Sequence, residues 1–406
     1  MKKENGSSKS ALLWIIFTVL ILIVVIAAVL VFVFKVKIGG NDTNTNTTQQ
    51  QTTETPSPST KPTHKPSSDD VSIIPTMEDE IDSDSAWTPT FELVWNDLMD
   101  ELVGGKVEFN DGKEPDYLEN LNKQIFKEAD ISEDYIYKKF GKTSNKLKEE
   151  ILEGIKDKFD EESDIINPDD DWGDKESNGY TFYTMLFRVF KFEKPFDIYE
   201  DEEEGYFGEN DEYSNVKYFG LNKESDEELF EQVHVLFYEN EDKFAFTVDT
   251  KEGDHLIFSR GVEGKTFNDI YLNIEEEADK YEDDNGRTEL MEDDKVKIPF
   301  IDMDLFREYK ELEGHSFNTK EDEESVITRA IQTIKLSLDN EGGKIKSEAL
   351  IQTKNMAARE EDEVRPFNLA LTQEFTMFVV EKNKGLPYFA LNVSDISKFQ
   401  NEVVEE

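Results

Sequence analysis

S-V-I-T-R-A-I-Q-T-I-K-L-S-L-D-N-E runs from Ser325 to Glu341 and ends on Gly342 and Gly343; F-T-M-F-V-V-E-K-N-K-G-L-P-Y-F-A-L-N-V follows from Phe375 to Val393. Within the first stretch, Thr328 to Leu338 alternates apolar and polar side chains, the period of a strand with one buried face. The second stretch holds two apolar runs and reads as two further strands. What separates them, from Gly342 to Glu374, is a long polar loop. Loops of that length inside one domain are uncommon and usually carry function.

Further towards the amino end, strands and helices alternate without a βαβ order. Phe91 to Val103 has helical spacing through Phe91, Val94, Trp95, Leu98 and Leu102. Leu147, Ile151, Ile155 and Phe159 fall four apart and predict a second helix. Tyr180 to Phe192 is dense in aromatic and β-branched residues and reads as one long buried strand. Gln232–Tyr238 and Lys243–Thr250 predict a strand pair around Glu239-Asn-Glu-Asp. Phe267 to Tyr281 predicts a helix, and Lys295 to Ile301 a strand. The mixture points to an α+β domain.

Ala11 to Phe34 is an unbroken apolar run. At about 1.5 Å per residue it is long enough to cross a hydrocarbon core of about 30 Å. Lys2, Lys3 and Lys9 precede it, and Lys35 and Lys37 follow. A cleaved signal peptide, giving a secreted form, is the competing reading; its apolar core is usually shorter. The expected organisation is a tail at 1–10, an anchor at 11–34, a Thr/Ser/Pro-rich stalk at 35–85 and a folded domain at 86–406. Asn41-Asp-Thr and Asn46-Thr-Thr are glycosylation sequons in the stalk. This places the carboxyl-terminal domain in an extracellular or lumenal space, as part of a single-pass glycoprotein.

The 406 residues carry 92 acidic and 45 basic side chains, a formal charge of −47. A nucleic-acid partner is excluded by repulsion, since no basic stripe offsets the acid excess. The absence of cysteine removes disulfides, thiolate catalysis and Cys-based zinc sites. Tyr281 to Glu292 places Asp283, Asn285, Gly286 and Glu292 as a calcium loop would, but Tyr281 stands at the first ligand position, so it reads as an acidic turn. Asp169-Asp170-Asp171 reads as a solvated loop. His64, His234, His255 and His315 show neither zinc nor triad spacing. No phosphate-binding glycine loop is present. No metal, cofactor or small-molecule substrate is expected, and the chain is not read as an enzyme.

Four segments, in order, resemble the serpin family. F-K-F-E-K-P-F-D, Phe190 to Asp197, looks like the family's K-W-E-K-P-F-D turn, with Phe192 for Trp and Thr184 where the preceding strand carries Asn. His234 to Val248 resembles its aromatic-turn-aromatic strand pair. Val296 to Phe317 resembles its strand followed by a helix, here carrying Leu305 and Leu312, and then G-H-S-F. The carboxyl block, with N-K-G-L-P-Y-F from Asn383 to Phe389, resembles its last strands. The likeness covers about Tyr180 to Val393; the amino-terminal half is shorter than the family's.

The resemblance implies a serpin-like α+β fold, with mixed sheets, surrounding helices and an exposed reactive loop at about 342–374. The loop's hinge would be Gly342, Gly343, Lys344, Ile345, Lys346, Ser347, Glu348 and Ala349. Counting in the family's register puts the cleaved bond at Met356–Ala357, with Lys354, Arg359 and Arg365 as other bait residues. The strands Tyr180–Phe192 and Thr328–Leu338 would flank the gap into which a cleaved hinge inserts. By the period of two, Gly343, Ile345, Ser347 and Ala349 would face inward, and Lys344, Lys346, Glu348 and Leu350 outward. The implied function is a membrane-tethered inhibitor whose partner is a serine or cysteine endopeptidase. Two alternatives stand beside it: a non-inhibitory binding or structural protein on the same fold, and an unrelated α+β adhesin or receptor ectodomain.

Overall fold

A computed structural model describes residues 71–199, 205–209, 212–346 and 366–400, all within one compact unit, Ser59–Glu406. The apolar run at 11–34 and both stalk sequons lie outside these residues. Among the described residues no helix is long and apolar enough to cross a membrane.

The described residues from Val71 to Ser85, read from composition as part of the stalk, pack on the domain. Ser72–Ile73 pairs parallel to the strand Ser85–Trp87, and Val71, Ile73, Ile74 and Met77 are buried. The acids of this stretch make turns: Asp79 accepts from the Thr76 N–H and hydroxyl. The apolar residues are too few to show a period, so only their pairing with a distant edge reveals them.

Helix α1 (Thr90–Asp97) runs on into a π-helical turn, Leu98–Val103, and stops at Gly104, whose φ is 77°. Phe91, Trp95, Leu98 and Leu102 pack on Tyr309, Leu312 and Phe317, as the helical spacing predicts. Strand β1 (Ile136–Lys142) pairs antiparallel with β2 (Tyr180–Leu186). Helix α2 (Asn145–Phe159) lies over this ribbon; Ser144 caps it by accepting the Leu147 N–H at 3.2 Å. Its stripe Leu147, Ile151 and Ile155 packs on Tyr183, Met185 and Ile166.

The single buried strand expected over Tyr180–Phe192 is instead two strands. At Phe187 the chain leaves the ladder, its N–H donating to the Tyr135 carbonyl, and resumes as β3 (Arg188–Lys191) in another sheet. Tyr180 is exposed and Phe182 half-buried. Aromatic density raises strand propensity, but burial on two faces needs a neighbour on each.

Downstream of α2, Val233–Asn240 and Lys243–Asp249 form the expected antiparallel pair. Helix α3 (Phe267–Asp283) packs Phe267 and Tyr271 on Phe378. The helix expected between Val296 and Phe317 is not there; β4 (Ile301–Glu308) takes its place. Ile301, Met303 and Leu305 are buried while Asp302 and Phe306 are exposed, a period of two. Strand β5 (Ile331–Leu338) pairs along the whole of β4, and β6 (Gly342–Lys346) follows it.

Three sheets organise the molecule. The seven-stranded sheet runs Ser72–Ile73, Ser85–Trp87, Pro387–Val393, Phe375–Glu381, Asp254–Arg260, Lys243–Asp249, Val233–Asn240. Its hairpin Phe375–Glu381/Pro387–Val393 is buried at every residue. A second sheet runs Asn368–Ala370, Lys295–Pro299, Tyr218–Leu221, Asp197–Ile198. The third runs β4-β5-β6-β3, with each pair antiparallel. The fold is α+β, and parts of the two stretches expected to flank an insertion gap, β3 and β5, share one sheet with β6 between them.

Candidate functional site: the hinge strand and the two ends of the loop

After β5, Asp339, Asn340 and Glu341 turn the chain back. The Gly342 N–H donates to Asp339 Oδ1 at 3.2 Å, and the Asp339 N–H to the Gly342 carbonyl at 2.9 Å. The F-E-K-P-F segment receives this turn: the Phe192 N–H donates to the Glu341 carbonyl and the Phe196 N–H to the Asn340 carbonyl. Phe192 and Phe196 are buried edge to face, 5.0 Å apart. The F-E-K-P-F segment thus seats the start of β6.

Strand β6 aligns Gly343 with Leu338 and Phe190, and Ile345 with Leu336 and Arg188. The two glycines are a steric requirement. A Cβ at Gly342, where φ is 149°, would stand 2.3 Å from the Phe190 carbonyl oxygen; one at Gly343 would stand 2.6 Å from Phe190 Cζ. Ile345 is fully buried, and Lys344 and Lys346 leave by the opposite face. The expectation that all of Gly342–Glu374 is exposed loop is corrected at both ends. Gly342–Lys346 is strand because both neighbouring edges offer it hydrogen bonds. Phe367, Leu369 and Leu371 are core.

Beneath Ile345 lies a charged floor that the sequence does not announce. Arg188 Nε donates to Asp254 Oδ2 at 2.8 Å, its guanidinium stacks 4.1 Å over Tyr135, and the Tyr388 hydroxyl donates to Asp254 Oδ1 at 3.1 Å. Burial pushes the Asp254 carboxyl up to about 6, with Arg188 offsetting part of that rise. The pair ties β3 to the seven-stranded sheet. Alternation in a strand cannot distinguish an inward arginine with a distant partner from a solvated one.

On the outer face, acids from the loop after α2 meet the hinge lysines. Lys344 Nζ lies 2.6 Å from Glu161 Oε1, and Lys346 Nζ 2.9 Å from Asp164 Oδ2. Lys335 Nζ, on β5, is 3.0 Å from Asp164 Oδ1 and 3.3 Å from Asp304. Burial raises the Asp164 carboxyl, but Lys346 and Lys335 more than offset this, and its pKa falls below the usual carboxylate value. A cavity of about 630 Å³ opens beside these side chains.

The far end of the loop is equally fastened. The Phe367 N–H donates to Asp294 Oδ1 at 2.6 Å, and the Arg287 guanidinium lies 3.6 Å over the Phe367 ring. Asn368–Ala370 then pairs parallel to Lys295–Lys297. Ser347, Glu348, Ala349, Lys354, Met356, Ala357, Arg359 and Arg365 lie outside the described residues.

Two polar side chains lie beyond the stretches that β6 pairs with: Gln332 on β5 and Thr184 on β2. Gln332 Nε2 donates to Thr88 Oγ1 at 3.0 Å and Thr90 Oγ1 at 3.1 Å, and Gln332 Oε1 accepts from the Tyr309 hydroxyl at 2.7 Å. The buried Thr184 Oγ1 has no hydrogen-bond partner among the described residues. Two of the histidines converge on Asp249: His255 Nδ1 at 2.6 Å and His234 Nε2 at 3.4 Å. Among the described residues, no group of three or more His, Cys, Asp or Glu side chains could hold a metal ion.

No family model and no curated protein matches the chain. Among solved structures, it is similar to Serpin48, a highly specific serpin in the insect Tenebrio molitor, at 12% identity over 79% of this chain and 93% of that one, with a TM-score of 0.40. It is also similar to thyroxine-binding globulin in complex with thyroxine, at 13% identity over 64% of this chain and 76% of that one, TM-score 0.34. A second structure of that complex, of the human protein, gives 14% identity over 66% and 76%, TM-score 0.33.

Proposed function

We propose that this chain is a membrane-tethered endopeptidase inhibitor whose loop, 347–365, is the bait. The observation that supports this reading is the placement of β6. The strand entering the loop already lies between β5 and β3, antiparallel to both, and β5 extends beyond it to Ile331. A protease cutting near Met356–Ala357 would free the hinge from the distal anchor at Phe367, and the freed strand could lengthen along β5. Each added residue would gain ladder hydrogen bonds to that edge. Ser347 and Ala349 are small enough for the inward face, where side chains must enter a packed interior.

The non-inhibitory reading has an observation of its own. Ile345 is already buried, so the five residues of β6 have little left to gain. Less insertion energy is then stored for trapping a protease.

The test is incubation of the purified chain with trypsin-, chymotrypsin- and cathepsin-type proteases. Inhibition predicts a complex that survives detergent, cleavage within 347–365, and a cleaved form with a much higher melting temperature. Clean cleavage with neither complex nor stability gain leaves the binding or structural role.

A further inference from the structure

We infer that the loop following α2 is an ionic clasp that retains the hinge strand in the sheet: Glu161 and Asp164 hold β6 in place through Lys344 and Lys346. The inference does not depend on protease inhibition.

Strand β6 is poorly equipped to stay by itself. It spans Gly342–Lys346, and two of its residues are glycine, which weakens a strand by entropy and by offering no side chain to pack. Ile345 alone contributes an apolar anchor. Backbone pairing over five residues holds such a strand weakly, and the clasp sits at its carboxyl end.

The clasp differs from an ordinary surface ion pair, which contributes little. Asp164 is shared by Lys335 of β5 and Lys346 of β6, so one carboxylate bridges two adjacent strands. The Lys346 side chain is only 10% exposed, and its Nζ also donates to the Glu162 carbonyl at 2.9 Å. Lys344 Nζ adds the contact to Glu161 while lying 4.8 Å over the Phe187 ring. The acids are carried on a stiff support. Buried Lys148 of α2 donates from Nζ to the Pro168 and Asp170 carbonyls, and Ile166 packs under the same helix. To leave the sheet, β6 must break the whole network or drag the loop off α2.

The experiment is hydrogen exchange on the intact full chain, read by mass on peptides spanning 342–346. Glu161→Gln combined with Asp164→Asn removes the clasp charges without changing shape. Asp160→Asn, whose carboxylate pairs with Lys156, is the control. The double variant should exchange its β6 amides at least about tenfold faster, the loss of a small charge network. The hairpin Phe375–Glu381/Pro387–Val393 should keep its protection. Concentrated salt should move the wild-type chain towards the variant. Should the double variant fail to fold, Lys346→Met alone, which keeps the apolar stem, and the salt dependence of the wild type give the same reading. Unchanged β6 exchange in these variants and in salt would overturn the inference, showing that backbone pairing suffices. Equal acceleration in β6 and the hairpin would also overturn it, as general destabilisation.

Discussion

Glu92 shows how far a single residue can depart from what its type suggests. It sits on α1 among apolar positions and is 1% exposed, and its Oε1 accepts the Phe126 N–H at 2.8 Å. Burial, only partly offset by backbone N–H groups at Phe126 and Ile125, pushes its carboxyl up to about 8. The folded chain therefore keeps a proton that the unfolded chain releases near its ordinary value of 4.5. Glu92's contribution is fully present below that value and is lost as pH rises through about 8. Chemical denaturation across this range should show wild-type stability falling by up to about 1.4 kcal/mol per pH unit from this group. Glu92→Gln should flatten that fall, and a parallel pH profile in the variant would refute the assignment. Asp249 carries the opposite sign. Burial raises it, but His234 and His255 more than reverse this, so its contribution is present above the ordinary carboxylate pKa and is lost on acidification.

The strand is the scale at which the hinge works. The period of two places Ile345 inward and both lysines outward, and the structure agrees. Gly343 is the sensitive position, because a side chain there meets Phe190 from a neighbouring strand. Gly343→Arg would drive a charge towards a dry interior at a cost of several kcal/mol. Strand β6 should then be expelled, with loss of exchange protection across 342–346 and a lower melting temperature. If the chain inhibits proteases, the stability gain after cleavage should vanish in this variant. Retention of β6 protection in Gly343→Arg would contradict the packing described. Elsewhere, periodicity worked where one face alone is buried: α1, α2, α3 and the strand pair at Val233–Asp249 fall where their spacing puts them. The family likeness misled at Ile301–Glu308, where it suggested a helix although Ile301, Met303 and Leu305 alternate.

For the whole molecule, the charge of −47 and the apolar run at 11–34 act together. Like charges repel across the surface, so moderate salt should stabilise the domain globally by screening. The clasp should respond in the opposite direction, loosening locally as salt rises. The proposed tether has its own measurement. Protease added to intact cells should release a soluble fragment beginning in the stalk, upstream of Val71. A mature protein found entirely in the medium, with its amino end near Gly39, would show the apolar run to be a removed signal.

Strand and helix periods follow from this sequence alone, because each depends on spacing within a few residues; the E-K-P-F turn and the hinge with its paired glycines came from the family resemblance, to which the period of two added the inward face. The parallel edge strand at Ser72–Ile73, the break at Phe187, the Arg188–Asp254 floor and the clasp of Glu161 and Asp164 on the hinge lysines were decided by tertiary structure. Each joins residues far apart in the chain. An acid beside solvent and an acid beside a lysine from a distant strand are the same letter until the fold brings the two together.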